Sequence, residues 1–206
     1  MPATARSKAR PPVRNPERTR ERILAAALHE FAARGFAGAR VDVIARRAPV
    51  NKRMLYHYFG DKGGLFRAVL RHTIARRLAY VEAQSPGGDQ VLTMPLWFKQ
   101  NCEGTDWVRL LAWESLQATG NSICDEAERR RVTKRSIGKI RKHQAARLLR
   151  PDVRPEFLQL AKTSLTMFPL AMPQITRLIL GKSVTDKNFQ RDYAKFLEAI
   201  SAAFRP

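Results

Sequence analysis

Cysteine is scarce in this chain of 206 residues: Cys102 and Cys124 are the only two. Two are too few for a disulfide framework and too far apart for a zinc site, so both are expected to be small packing residues in a reducing compartment. Histidine is scarce too, with residues at 29, 57, 72 and 143 only. No metal-ligand spacing, no locally supported Ser/His/Asp arrangement and no glycine-rich phosphate loop is present, which argues against an enzyme and against a bound metal or cofactor. No apolar run is long enough to span a bilayer. The first 16 residues are basic and lack an apolar core segment, so no secretory signal and no membrane partner are expected, and a cytoplasmic protein is. No stretch alternates with period two long enough to make a strand, and no internal repeat is visible.

Acid is the other shortage. There are 18 Asp+Glu against 38 Lys+Arg, a formal net charge of +20 at pH 7. Such a balance favours polyanionic partners, and its placement matters more than its size. Residues 1–60 hold 13 basic and 4 acidic side chains, and residues 129–150 hold 10 basic and no acidic ones. The rest is almost neutral, so the charge is patterned.

What is present reads as all-α. Residues 1–14 are Pro, Ala and basic residues without periodicity, a disordered basic arm in expectation. Asn15-Pro16-Glu17 is a helix start, with a capping Asn, a Pro at the first helical position and an acid at the positive end of the dipole. Ile23, Leu24, Ala27, Leu28 and Phe31 recur at helical spacing, and Gly35 stops the run. Asn51 and Asp61 cap two further helices. After the break at Ser85-Pro86-Gly87-Gly88, helices are expected near 90–102, 105–119, 123–149, 155–180 and 186–204. In the basic run, Ile137, Ile140, Gln144 and Leu148 should face inward.

Between Val41 and Gly60 two short helices meet at a three-to-four-residue corner, the layout of a helix-turn-helix. On the second helix Leu55 and Phe59 share a face toward the first. Asn51, Lys52, Arg53, Tyr56 and His57 share the other, a polar, basic and aromatic face suited to base edges and phosphates.

Here the residues resemble a family. "ILAAALHEFAARGF" at 23–36 and "VDVIARRAPVNKRMLYHYFGDKGGL" at 41–65 are similar to the DNA-binding domain of TetR-type transcriptional repressors, in order and in spacing. The resemblance implies an N-terminal three-helix DNA-binding domain over 15–62 and a helical effector-binding and dimerisation domain over 63–206. It implies phosphate contacts at Tyr56 and Lys62. Arg40 stands where the family often places a capping Ser or Thr, so that cap is expected to be weak. Arg53 and Met54 replace a usual Gly-Thr, putting a bidentate donor and an apolar tip where bases are read. Pro49 stands where glycine is usual. Proline fixes φ near −65°, so a corner of negative φ is expected.

The resemblance also implies a homodimer through the last two helices. Leu178 and the stripe Phe189, Tyr193, Phe196, Leu197 and Ile200 are the candidate interface. Met94, Trp97, Phe98, Trp113, Met167 and Phe168, with His143 and Gln144 as polar handles, are the candidate pocket for a small, largely apolar effector. The expectation is thus a dimeric repressor of double-stranded DNA, released from a palindromic operator by that effector. A non-specific architectural nucleic-acid-binding protein is the alternative that charge alone would allow.

Overall fold

Asn15 begins the ordered chain as its composition dictates: its Oδ1 accepts from the Glu17 and Arg18 N–H groups at 3.0 and 3.3 Å. The computed structural model describes residues 15–88, 91, 93–117 and 123–206. The expected arm at 1–14 and the stop at Gly120 lie outside them. Among the described residues there are ten α-helices and no strand. They are α1 (Pro16–Gly38), α2 (Val41–Arg47), α3 (Lys52–Phe59), α4 (Lys62–Gln84), α5 (Met94–Glu103), α6 (Thr105–Gln117), α7 (Glu126–Ala145), α8 (Pro155–Ala171), α9 (Pro173–Leu180) and α10 (Lys187–Ala203).

The caps follow side-chain chemistry. The carboxylate of Asp61 accepts from the Gly64 N–H, and that of Asp186 from the Asn188 N–H. Gly35 interrupts α1 with φ 66° and ψ 176°, and one more turn runs to Gly38. A Cβ at Gly35 would lie 2.5 Å from the Gln117 side chain. That side chain, at the end of α6, accepts a hydrogen bond from the Phe36 N–H at 3.0 Å. Glycine is therefore required twice at 35, for its backbone angle and for the seat of α1 on α6.

Ile23, Leu24, Ala27 and Phe31 of α1 pack with Ile44, Leu55, Leu65, Phe66, Val69 and Leu70 into one buried N-terminal core. Phe66 stands edge-on to Phe31 at 5.0 Å and to Phe36 at 5.3 Å, a geometry worth about 0.5–1.5 kcal/mol per pair beyond area burial. In the second half α5 is held between α8 and α10. Asn101 of α5, 1% exposed, donates to the Thr166 carbonyl of α8 at 2.8 Å.

Three expectations about this half are corrected. The expected helix over 155–180 is two helices. Met172 leaves helical dihedrals at φ −122° and ψ 62°, because a residue before proline is pushed toward extended backbone. The helix expected over 123–149 ends at Ala145, and Arg147 takes φ 55°. The inward phase is lost there, so Leu148 is half-exposed and Leu149 is fully buried. Finally, Phe189 and Leu197 belong to the protomer's own core, at 3% and 0% exposure. Phe189 packs against Phe98 and Tyr193, ring centres 6.2 and 5.5 Å apart. An amphipathic stripe has two edges, and the sequence pattern does not say which edge an intramolecular neighbour takes.

The basic run at 129–150 is largely neutralised. Arg129 pairs with Glu114, Arg130 with Glu126, Arg131 with Glu128, Lys139 with Glu82, Arg141 with Glu156 and Arg150 with Asp152. Most of these pairs are exposed and weak individually. Their acids come from α4, α6, α7, α8 and the α7–α8 connection, so the run serves largely to register α7 on its neighbours. Among the described residues no helix is long and apolar enough to cross a membrane.

Candidate functional site

The two short helices meet as their pattern requires. Val41, Ile44 and Ala45 of α2 are buried, and so is Leu55 of α3 at 0% exposure. Phe59 is half-buried, with the Arg20 guanidinium 5.8 Å from its ring centre. The Tyr58 hydroxyl donates to the Pro16 carbonyl at 3.4 Å, tying α3 to the start of α1. With Leu55 locked beneath, α3 presents Asn51, Lys52, Arg53, Tyr56 and His57 to solvent, while Met54 is half-buried. Asn51 also caps α3, its Oδ1 accepting from the Met54 N–H at 2.7 Å. That bond occupies its oxygen and leaves its amide N–H groups to donate.

The flank of this face is basic. Arg46 and Arg47 in the last turn of α2 are exposed, and sequence reasoning had not singled them out. Arg40 begins α2 without a side-chain cap. Its own N–H donates to the buried carboxylate of Glu30 at 3.3 Å, and its guanidinium pairs with Asp42. Lys62 is not free: its ammonium donates to the Ala37 carbonyl at 3.1 Å and lies 5.1 Å from the Phe36 ring centre. Two of its three N–H donors remain.

The corner overturns the expected negative φ. Pro49 stands at φ 26°. The cause is visible in the hydrogen bonds around it. The Ala48 N–H reaches the Ile44 carbonyl, and the Val50 N–H reaches back to the Ala45 carbonyl at 3.0 Å. This second bond, from the second residue after the cap to the third-last of the helix, is the long bond of a Schellman ending, which demands positive φ at position 49. Proline meets that demand against its ring, and having no N–H it cannot supply the motif's companion bond to the Arg46 carbonyl.

A cleft of about 220 Å³ opens among α4, α5, α6, α7 and α8. Arg77, Trp97, Trp107, Lys162, Thr163 and Met167 are among its lining residues. Of the pocket residues expected from sequence, Trp97 and Met167 are in it. Met94 and Phe98 are core residues at 0% and 1% exposure. Trp113 is half-buried on α6 away from the lining, and Phe168 is exposed on α8. His143 Nδ1 donates to the Lys139 carbonyl, and Gln144 donates to the carbonyls of Arg150 and Val153. These two fasten the end of α7 rather than line the cleft. The polar groups that do line it had one sequence signal: Lys162 is the only charged residue between 157 and 176.

Apolar side chains also lie open on α8 to α10. Leu178 is 85% exposed, Ile179 71% and Leu160 61%, and Phe157, Ile175 and Phe196 are exposed as well. Tyr193 is half-buried, its hydroxyl donating to the Leu165 carbonyl, and Ile200 is half-buried.

Comparison with known proteins agrees with this geometry. Residues 23–69 match the family model for bacterial regulatory proteins of the tetR family, and residues 97–203 match that for the tetracyclin repressor-like C-terminal domain. The HTH-type transcriptional repressor SCO4008 of Streptomyces coelicolor is 29% identical over 88% of this chain and 94% of its own. The HTH-type transcriptional repressor NicS of Pseudomonas putida is 28% identical over 90% and 91%. The crystal structure of SCO4942 from Streptomyces coelicolor superposes with a TM-score of 0.73, at 27% identity, over 91% of this chain and 99% of that one. A helix-turn-helix braced on a three-helix core, continued into a helical second half that matches along most of its length, means that the chain belongs to the tetR family of bacterial regulatory proteins.

Proposed function

We propose that the protein is a dimeric, sequence-specific repressor whose α3 enters the major groove of a palindromic operator. The observation that carries this is the outward face of α3: Lys52, Arg53, Tyr56 and His57 are exposed above a fully buried Leu55. In this reading residues 15–62 bind DNA and residues 63–206 bind effector and partner. Arg53 donates in bidentate fashion to a guanine edge, worth about 1–3 kcal/mol of discrimination. Met54 touches a thymine methyl, and Asn51, Lys52 and His57 contact bases or phosphates beside it. Tyr56, Arg40 and Lys62 position the helix on the backbone.

The dimer forms through the open apolar face of α8–α10, with Leu178, Phe196, Tyr193 and Ile200 in it. A two-fold interface places two α3 helices on successive major grooves. A small effector with an apolar body occupies the cleft. Arg77 lies on the same continuous helix as Lys62, fifteen residues on, or about 22 Å along the axis at 1.5 Å per residue. Through α4, contacts in the cleft bear on the start of the DNA-binding unit.

Selection of bound sequences from a pool of random duplexes tests the reading. It should converge on a palindrome, bound at least about a thousandfold more tightly than shuffled DNA at the same salt. A pool that does not converge would indicate a charge-driven architectural binder. The paired state of most of the 129–150 run argues against that alternative, since few of its cations are left for phosphates.

A further inference from the structure

Every charged side chain that lines the cleft among the described residues is a cation: Arg77, Arg129 and Lys162. Arg129 is answered by Glu114 at 2.6 Å, so the surplus comes from the other two. Lys162 is 6% exposed, with its ammonium 4.8 Å from the Trp97 ring centre. Arg77 has no acidic neighbour among the ion pairs of the described residues; its NH2 group donates to the neutral amide oxygen of Asn101. Its guanidinium lies 5.8 and 5.6 Å from the ring centres of Trp97 and Trp107. Burial alone pushes Arg77 down to about 10, which is the signature of a cation whose lost hydration is not replaced by a counter-charge.

A second observation points the same way. Trp97, on the cleft wall, has a buried indole N–H with no hydrogen-bond partner. Buried donors in native proteins are nearly always satisfied, so an orphan one beside a ligand-sized space calls for an acceptor. Thr163 and Ser136 add hydroxyls to the same wall. Cations and an indole N–H on one side, Leu78, Leu111, Val132 and Met167 on the other, make a space that wants an acceptor head and an apolar body.

We infer that the effector is a small monocarboxylate with an apolar, ring-sized body, its carboxylate held by Arg77 and Lys162. This rests on the proposed effector role of the cleft and names the chemistry it takes. The volume sets the size: a space of roughly 150 Å³ holds a benzene molecule, so 220 Å³ holds one ring with a carboxylate and little more. The planar guanidinium fork matches a carboxylate, and desolvation by Trp97 and Trp107 strengthens the charge-assisted bonds. A carboxylate restores to Arg77 the counter-charge that burial removed.

The test uses matched pairs as probes, benzoate with benzamide and hexanoate with hexanamide, titrated into the full-length protein. Melting temperature and the fluorescence of Trp97 and Trp107 are followed. The carboxylates should bind at least tenfold more tightly than their amides. Arg77→Met should abolish that preference, while Arg77→Lys should keep much of it. Amides that bind as well as the acids, or a preference untouched in Arg77→Met, would overturn the anionic assignment and leave the cleft as an effector site. No response to either set would remove the effector reading of the cleft, and this inference with it.

Discussion

Replacing Pro49 with glycine should stabilise the protein. At φ 26° the pyrrolidine ring is far from its preferred −65°, and a residue held in so sparse a region costs about 1–3 kcal/mol. Glycine adopts positive φ freely. It also brings an N–H that can close the missing bond to the Arg46 carbonyl, worth about 0.5–1.5 kcal/mol. Against this, the unfolded chain gains freedom twice, once on losing proline and once on gaining glycine, at about 0.4–1 kcal/mol each. Central values leave about 1.5 kcal/mol in favour of Pro49→Gly, or roughly 3–6 °C in Tm for a chain of this length. Scanning calorimetry of both proteins without DNA, in one buffer, measures it. Pro49→Ala should fall between them, since alanine supplies the N–H but not the easy positive φ. A glycine variant that melts lower than the parent would refute the reasoning, and would mean that the corner relaxes to negative φ with proline in place.

Arg53→Ala should relax preference at one operator position by about 1–3 kcal/mol and leave other positions alone. Lys62→Ala should weaken binding to all duplexes alike and lower the salt slope by about 0.9 per lost phosphate contact; an unchanged slope would mean that Lys62 acts only through its bond to Ala37. Leu178→Arg, at a position 85% exposed, should leave the protomer folded and give a monomer at micromolar concentration by ultracentrifugation. Burial pushes the Cys102 thiol up to about 11, and the Cys124 thiol is raised by burial as well. Alkylation of Cys102 by iodoacetamide near pH 7.5 should therefore run roughly a hundredfold or more slower in the native than in the unfolded protein, and should accelerate only as pH climbs past the usual thiol range.

Local chemistry was the legible part of this chain. Asn15, Asp61 and Asp186 cap helices because short polar side chains satisfy first-turn N–H groups wherever they stand. Leu55 is buried and Arg53 exposed because they lie on opposite faces of one helix. What was not legible depends on distant partners. The cleft joins Arg77 of α4 to Lys162 of α8, 85 positions apart, and no local pattern couples them. Met94 and Phe98 looked like pocket residues because large soft side chains serve a core equally well. Pro49 was misread for a related reason: ring geometry predicts negative φ, but the hydrogen bond from Val50 to Ala45 and the packing of Ile44 on Leu55 set the angle of the corner.

The central claim, that α3 reads bases in the major groove of a two-fold site, is tested most directly by methylation interference on the selected duplex. Dimethyl sulfate modifies guanine N7 in the major groove and adenine N3 in the minor groove. Methylated guanines in both half-sites, about one helical turn apart, should block binding, and Arg53→Ala should erase the effect at one guanine in each half. Interference confined to adenines, or found in one half-site only, would contradict the account.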